Sequence, residues 1–228
     1  MAELSAKHPS FVQVHDIGTM RSGVFDVPYL VLEWVEGKDL EATLRARNVP
    51  YGEREAMTLL KPAVAGMAAA HGMHPPVAHR DLKSANVMVV ETGDAAAVKI
   101  PDLGIAKVMR PWETPGQRFT RTSSGMKAFS PHDGAREQWN TKKFGATGPW
   151  TDVHAIGLML VEMVTLRPPL EGNNEYELMT VATAAGRPTP RARGAQVSDE
   201  FEELGAKAIA LRAEDRFRNA SERLSAIG

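Results

Sequence analysis

Two short runs of residues bring together side chains that could act on a hydroxyl group, an anion and a metal ion. The first run, His79 to Asn86, reads HRDLKSAN and contains a carboxylate, an ammonium group and a carboxamide. The second run is Asp102-Leu103-Gly104, and it begins sixteen residues after Asn86. A carboxylate can orient or accept the proton of a hydroxyl group, and carboxylate and carboxamide oxygens are hard donors that suit Mg²⁺.

The two runs resemble the catalytic loop and the metal-binding motif of the eukaryotic-type Ser/Thr protein kinases, in the style of the bacterial members. The resemblance implies that Asp81, Lys83 and Asn86 are catalytic. Asp81 would orient the hydroxyl of a protein substrate, and Lys83 would contact the γ-phosphate of ATP. Asn86 and Asp102 would bind Mg²⁺. Leu103 stands where phenylalanine is usual, and we expect this change to tune the packing rather than abolish it.

A second stretch, YLVLEWVEG, resembles the last N-lobe strand and the hinge of the same family. Leu32 then takes the gatekeeper position, and the backbone of Glu33 and Val35 is expected to hydrogen-bond the adenine. The resemblance also implies a ribose contact for Asp39 and an apolar floor under the base for Met88. An adenine slot is lined by core side chains, so Leu32 and Met88 are equally compatible with a purely structural role. The implied cofactors are ATP and Mg²⁺.

Downstream residues resemble the substrate-facing loop of the family and its supports. Ser130, which is followed by proline, lies seven residues before Glu137. This spacing matches a hydroxyl that touches the catalytic aspartate and lysine, and it favours the Ser/Thr class. Asp152 matches the aspartate that caps the catalytic loop, and Arg216 matches the late arginine that pairs with Glu137. Because a buried Glu–Arg pair needs both halves, we expect these two residues to support the fold.

Other positions depart from the family pattern or are open to two interpretations. Asp133 stands in place of an aromatic residue, and Arg136 in place of proline. Residues 120–124 are rich in hydroxyl side chains, and their phosphorylation would give Arg80 a partner. A flexible loop without any regulation is equally compatible with this composition. His79 is expected to be structural and to pack near the Asp102 turn.

The periodicity of the chain predicts an α+β layout dominated by helix. The predicted elements are strands at 11–17 and 28–35 joined by a turn at 18–23, a helix around 56–67, a hairpin at 87–90 and 97–100, and helices at 151–165, 175–185, 199–212 and 218–227. Residues 110–150 are predicted to be a long loop. With the resemblance, the layout indicates a protein-kinase-like fold. Residues 1–35 would form a truncated N-lobe remnant (the end of its helix and two strands) with the hinge, and residues 36–228 a mostly helical C-lobe.

The composition limits the classes of function. The chain of 228 residues has 27 basic and 28 acidic residues, and its net charge of −1 argues against nucleic acid as the main partner. It has no cysteine, which excludes disulfide scaffolds and thiolate metal sites. No apolar stretch reaches the roughly 18 residues of a membrane span. We therefore expect a cytoplasmic protein whose partners are ATP and a protein substrate that carries Ser or Thr.

The family motifs that normally precede the hinge are not found in this chain. It has no G-x-G-x-x-G loop, no V-A-I-K lysine and no matching helix glutamate, and His8-Pro9 already matches the turn after that helix. Positioning and electrostatics dominate phosphoryl transfer, so we expect the chain alone to show little Mg-ATP-dependent phosphorylation. A truncated kinase catalytic domain is one explanation. A catalytically impaired, kinase-like binding or regulatory module is the main alternative. A small-molecule phosphotransferase of the wider superfamily is disfavoured by the substrate-loop residues.

Overall fold

The computed structural model describes residues 8–92, 95–101 and 129–224. The strands are β1 (Val14–Ser22), β2 (Phe25–Leu32), β3 (Lys38–Asp39), β4 (Met88–Thr92) and β5 (Ala95–Lys99). The helices are α1 (Leu40–Ala46), α2 (Glu53–His71), α3 (Arg136–Trp139), α4 (Thr141–Phe144), α5 (Pro149–Thr165), α6 (Glu175–Thr183), α7 (Asp199–Ala208) and α8 (Ala220–Leu224). Short 3₁₀ turns lie at Ser84–Asn86, Pro131–Asp133 and Ala213–Asp215. These elements confirm the predicted α+β layout dominated by helix.

Strands β1 and β2 form a two-stranded antiparallel ribbon. They pair from Val14 opposite Leu32 to Ser22 opposite Phe25, and the turn lies at Gly23. The turn predicted at 18–23 is therefore wrong in extent, because most of that range is strand. Both edges of the ribbon are without a third strand in the described part of the chain.

Gly18 explains why the sequence suggests a turn at a position that is strand. It lies opposite Tyr29, and a Cβ atom at Gly18 would lie 2.5 Å from the Tyr29 hydroxyl oxygen. The glycine thus makes room for an aromatic ring across the ribbon, which is a common reason for glycine inside a strand.

A second, three-stranded sheet in the order β3-β4-β5 connects the hinge to the centre of the molecule. Met88 pairs with Asp39 on one side and with Lys99 on the other. Phe11 forms a parallel bridge with Ile100, directly after β5. This small sheet therefore brings the residues before β1, the start of α1 and the segment after the predicted catalytic loop to one place.

The hydrophobic core is built around α5. Nearly every residue of this helix is buried, so it must be covered on all sides. Helices α2, α7 and α8 pack against it. The largest fully buried side chains of the core include Phe11, Leu40, Leu60, Met67, Leu82, Ile100, Ile156, Leu158, Met159, Leu160 and Met163. The core reaches the predicted catalytic loop through Leu82, which anchors that loop to the helical body.

Two short helical regions are not predicted by the sequence patterns. Helix α1 follows the hinge, where Asp39 Oδ1 caps it by accepting the N–H of Ala42 (2.6 Å) and where Leu40 and Leu44 are buried. The loop predicted at 110–150 contains, within its described part, a 3₁₀ turn, α3 and α4. These elements are only three to seven residues long, which is too short to show a helical period. Within the described ranges, no helix combines the length and apolar character that a membrane span requires.

Candidate active site

Asp152 of α5 fixes the backbone that carries the predicted catalytic residues. Its carboxylate oxygens accept the N–H groups of His79 (2.8 Å) and Arg80 (2.7 Å). Arg80 has a φ of +71°, and this left-handed conformation is energetically unfavourable for residues other than glycine. The buried carboxylate therefore holds the loop in one shape directly before Asp81. This capping contact is the one that the sequence predicts for Asp152.

His71 connects this anchor to the last described helix. Its Nε2–H donates to Asp152 Oδ2 over 2.9 Å, and its Nδ1 accepts the N–H of Ala220 over 3.1 Å. Because Nδ1 is an acceptor here, the Nε2–H tautomer is the one that satisfies both bonds. The side chains of His71 and Asp152 are fully buried. Helices α2, α5 and α8 are thereby joined behind the catalytic loop.

Asp81 and Lys83 converge on one hydroxyl group, that of Ser130. The Ser130 Oγ–H donates to Asp81 Oδ1 over 3.0 Å, and the Ser130 N–H donates to the same oxygen over 2.9 Å. Lys83 Nζ donates to Ser130 Oγ and lies 3.9 Å from Asp81 Oδ2. The Asp81 side chain is 39% exposed and that of Lys83 26%, so both remain accessible to a substrate. The contacts predicted for Ser130 are confirmed, and the catalytic roles of Asp81 and Lys83 stay predictions.

Asn86 is oriented by Asp81. Its Nδ2 donates to the Asp81 carbonyl oxygen (2.8 Å) and weakly to Asp81 Oδ2 (3.4 Å). This arrangement directs the carboxamide oxygen, a hard donor, away from these two contacts, and it fits a Mg²⁺ ligand. Asp102, the other expected ligand, lies outside the described residues. In the described ranges, no group of three or more His, Asp or Glu side chains could hold a metal ion.

His79 links the catalytic loop to the segment before Asp102. Its Nε2–H donates to the Pro101 carbonyl oxygen (3.3 Å), and its Nδ1 accepts the N–H of Asp81 (3.4 Å). This histidine therefore orders two loops at once, as a structural residue would. The Arg80 side chain is exposed, and the hydroxyl-rich residues 120–124, expected to be its partners after phosphorylation, lie outside the described residues.

The predicted nucleotide-binding residues gather around the hinge. Glu33 is fixed by Lys99, whose Nζ contacts both carboxylate oxygens, with 2.5 Å to Oε2. The hydrogen bond from Lys99 lowers the pKa of Glu33. Lys99 pairs with Met88 across the sheet, and Met88 pairs with Asp39. Leu32 directly precedes Glu33, so four of the predicted residues are neighbours in space or along the chain.

Some hydrogen-bonding groups at the hinge already have partners within the protein, which limits those that could bind a ligand. The Glu33 N–H donates to the Gln13 carbonyl oxygen over 2.8 Å, which leaves its own carbonyl for a ligand. Val35 is half-buried and lies outside the strands. One carboxylate oxygen of Asp39 caps α1, so its other oxygen is the one that could reach a ribose.

Glu137 and Arg216 form the buried ion pair that the sequence predicts. The guanidinium group contacts both carboxylate oxygens over 2.8 and 3.2 Å, and the two side chains are 0% and 1% exposed. Thr151 also donates to Glu137 over 2.9 Å. Since Arg216 further donates to the carbonyl oxygens of Ala210 and Leu211, the pair ties the segment after Ser130 to the loop that follows α7.

The sequence patterns miss several residues that shape the site. Lys99 is one, and its partner Glu33 lies 66 positions away. Gln138 is another, since its Nε2 donates to the Arg80 carbonyl oxygen over 2.7 Å. Asp133 is noted in the sequence only as a departure from the family. In the structure, burial and the nearby Glu162 carboxylate raise the pKa of Asp133 to about 7.

Comparison with known proteins gives consistent matches. Residues 1–225 match the protein kinase domain family. The chain is 31% identical over 220 residues to a probable serine/threonine-protein kinase of Corynebacterium efficiens, with 94% of this chain and 31% of that protein covered. It is 28% identical over 220 residues to serine/threonine-protein kinase PrkC of Bacillus subtilis (96% and 31% covered). It is 26% identical over 218 residues to serine/threonine-protein kinase PknB of Mycobacterium tuberculosis (94% and 32% covered). The chain thus spans about a third of the length of these relatives.

Proposed function

Because this chain belongs to the protein kinase family, we propose that it transfers the terminal phosphoryl group of ATP to serine or threonine side chains of a protein. One observation carries the proposal. The carboxylate of Asp81 and the ammonium group of Lys83 meet at a single hydroxyl group. A hydroxyl held between a proton acceptor and a cation is the arrangement that phosphoryl transfer to an alcohol requires.

The geometry supports a defined role for each side chain. Asp81 Oδ1 already accepts a hydroxyl proton from Ser130, so a substrate hydroxyl entering beside it would be oriented for attack. Lys83 supplies positive charge within 3.9 Å of Asp81 Oδ2, where the transferred phosphoryl group would pass. Most of the rate enhancement would come from this positioning and electrostatic stabilisation.

The metal site would combine two oxygen donors. Asn86 would contribute the carboxamide oxygen that its contact with Asp81 leaves available, and Asp102 would contribute a carboxylate. Bound Mg²⁺ would neutralise charge that develops on the phosphoryl group. The chemistry of this donor set fits Mg²⁺, since both ligands are hard oxygens.

The nucleotide would lie against the hinge. In this proposal residues 1–35 belong to the N-lobe and hinge, and residues 36–228 to the C-lobe. The backbone of Glu33 and Val35 would bind the adenine, with Leu32 behind it and Met88 beneath it. Asp39, paired with Met88 in the small sheet, would contact the ribose.

The acceptor is proposed to be a protein. Ser130 lies seven residues before Glu137, which the buried pair with Arg216 anchors, and an anchored loop would suit the docking of an extended peptide. The relatives are named serine/threonine-protein kinases. The nearly neutral chain supports a protein rather than a nucleic acid as partner, and the use of ATP suits a cytoplasmic location.

The acceptor residue can be identified directly. The chain is incubated with Mg²⁺, γ-phosphate-labelled ATP and a pool of unstructured peptides that contain Ser, Thr or Tyr, and the products are analysed by mass spectrometry. We expect slow incorporation of phosphate on Ser or Thr. Glu200→Gln, an exposed substitution on α7, is the control for the loss of a carboxylate far from the site. It is expected to leave phosphate incorporation unchanged. Incorporation on Tyr only, or binding of ATP with no incorporation at all, would contradict the proposal.

A further inference from the structure

The ribbon of β1 and β2 meets the rest of the molecule at its two ends. Among the described elements, its strands pack mainly against each other. The chain enters the ribbon beside Ile100, where the Val12 N–H donates to the Ile100 carbonyl oxygen (3.1 Å) and the Ile100 N–H donates to the Ser10 carbonyl oxygen (2.6 Å). It leaves the ribbon at Glu33, directly after β2. The contacts at this second end therefore determine how firmly the hinge is attached.

Lys99 holds the second end through the Glu33 side chain. Its Nζ donates to both carboxylate oxygens of Glu33, with 2.5 Å to Oε2. The side chains of Lys99 and Glu33 are 22% and 27% exposed, so solvent screens this pair less than it screens a fully exposed one. The hydrogen bond from Lys99 lowers the pKa of Glu33, and the carboxylate is therefore ionised at neutral pH.

The same carboxylate also fixes the backbone of the hinge. Glu33 Oε2 accepts the Gln13 N–H over 3.2 Å, and the Glu33 N–H donates to the Gln13 carbonyl oxygen over 2.8 Å. Because the side chain and the N–H of Glu33 are both held, its carbonyl oxygen keeps a defined direction. Lys99 lies opposite Met88 in the small sheet. One lysine thus connects the hinge to the strand that is expected to lie beneath the base.

We propose that Lys99 is a positioning residue that acts through Glu33 and sets the base selectivity of the nucleotide site. The Glu33 carbonyl oxygen can accept a hydrogen bond from the amino group of adenine, whereas guanine carries an oxygen, itself an acceptor, at the corresponding position. A firmly held carbonyl can bind the first base and reject the second, and a displaced one loses both effects. The part that concerns the base rests on the proposed function. The attachment of the hinge by Lys99 does not.

The attachment can be measured without nucleotide. Amide hydrogen exchange is followed by NMR in the wild type and in Lys99→Met, which removes the ammonium group but keeps a long side chain. We expect the amides of Gln13 and Glu33 to exchange severalfold faster in Lys99→Met, and we expect the amides of α5 to be unchanged. Unchanged exchange at Gln13 and Glu33, or an equal acceleration in α5, would overturn the proposal.

Further variants separate the pair from the loss of any lysine. Lys99→Arg keeps a cation that can bind both carboxylate oxygens, and the exchange should stay close to that of the wild type. Lys61→Met removes an exposed lysine of α2 and should also leave it unchanged. Glu33→Gln removes the partner, so its effect and that of Lys99→Met should add up to more than the effect of the double variant. Fully additive effects would show that the two residues act independently and would contradict the proposal.

Nucleotide selectivity connects the hinge to the base. The dissociation constants of Mg-ADP and Mg-GDP are compared, because these nucleotides share the ribose and both phosphates. The wild type should prefer ADP, and in Lys99→Met this preference should fall severalfold, mainly through weaker binding of ADP. An equal weakening of both nucleotides would indicate a general loss of structure and would contradict the effect on the base. If the wild type binds neither nucleotide, the proposed function fails, and the exchange of the Gln13 and Glu33 amides still decides whether Lys99 holds the hinge.

Discussion

At the scale of single residues, the carboxylates of this protein differ in how completely they are paired. Glu137 is buried and bound by Arg216 through two hydrogen bonds. Asp152 is buried and accepts hydrogen bonds from His79, Arg80 and His71. Asp133 has no such partner among the described residues. The first two are therefore expected to hold the fold, while the charge of the third is free to change with pH.

Arg216→Met tests the structural role of the buried pair. The substitution leaves Glu137 as an unpaired buried charge, which typically costs about 3–5 kcal/mol. We expect urea denaturation to show a loss of this order. The matched control is Arg45→Met, which breaks the exposed pair with Glu41 and should cost about 0.3–0.5 kcal/mol. Similar losses in the two variants would show that Glu137 is not held as described.

Asp133→Asn should change how stability depends on pH. The pKa of Asp133 is about 7 in the folded protein against a reference of 3.8, so the folded state binds the proton more tightly. Its contribution to stability is greatest at low pH and is lost as the pH rises through about 7. Relative to the wild type, the variant should therefore gain on the order of 1–2 kcal/mol between about pH 5 and about pH 8, after allowance for solvent screening. Denaturation curves at the two pH values measure this gain, and an equal difference at both would contradict it.

At the scale of elements, the contact between α5 and α7 is close because Gly157 has no side chain. A Cβ atom there would lie 2.6 Å from Ile209 Cγ2 and 2.8 Å from Ala208 Cβ. Gly157→Ala should therefore force the helices apart and cost about 1–3 kcal/mol. Gly186→Ala is the control, because a Cβ atom there meets nothing within 4 Å. Thermal unfolding should show a lower midpoint for the first variant only, and equal midpoints would contradict the close packing.

The elements also show what the sequence can predict and what it cannot. The long helices can be predicted from the sequence because burial imposes a period on many residues, as in α2. Helix α1 cannot be predicted in this way, since it depends on one cap at Asp39 and two buried leucines. Gly18 resembled a turn residue, but its role depends on Tyr29 across the ribbon. A local pattern cannot report such a partner.

The residues of the candidate site also differ in whether the sequence alone could predict them. Asp81, Lys83 and Asn86 could be predicted because the run from His79 to Asn86 resembles the catalytic loop of the family. Lys99 could not be found, because its contact with Glu33 joins residues 66 positions apart. The protonation of Asp133 depends on its burial first and then on Glu162, Lys83 and Glu41, which come from three other segments. Long-range electrostatics of this kind follows from the fold rather than from a motif.

At the scale of the whole molecule, stability is expected to be uneven. The ribbon of β1 and β2 exposes Met20 (55%), Phe25 (65%) and Val27 (42%), whereas α5 is almost completely buried. A two-stranded ribbon is only marginally stable without further packing. Hydrogen exchange should therefore be much faster for the amides of the ribbon than for those of α5. Equal protection of the two elements would show that the ribbon is packed more firmly than its exposure indicates.

The helical body holds the site as one unit. His71, 149 positions from Ala220, and Asp152 join three helices directly behind Asp81. The body can therefore present Asp81 and Lys83 in a fixed geometry. Phosphoryl transfer would depend on this geometry more than on any covalent chemistry by the protein.

The most direct test of the proposed function is the initial rate of Mg²⁺-dependent phosphate transfer from ATP to a Ser- or Thr-containing peptide, measured for the wild type and for Asp81→Asn. The substitution preserves the size of the side chain but removes the proton acceptor at the shared hydroxyl. The wild-type rate is expected to be low but measurable, and Asp81→Asn should reduce it by about 10² or more. A transfer rate that is unaffected by Asp81→Asn, or no transfer by the wild type, would contradict the assignment of this loop as the catalytic centre.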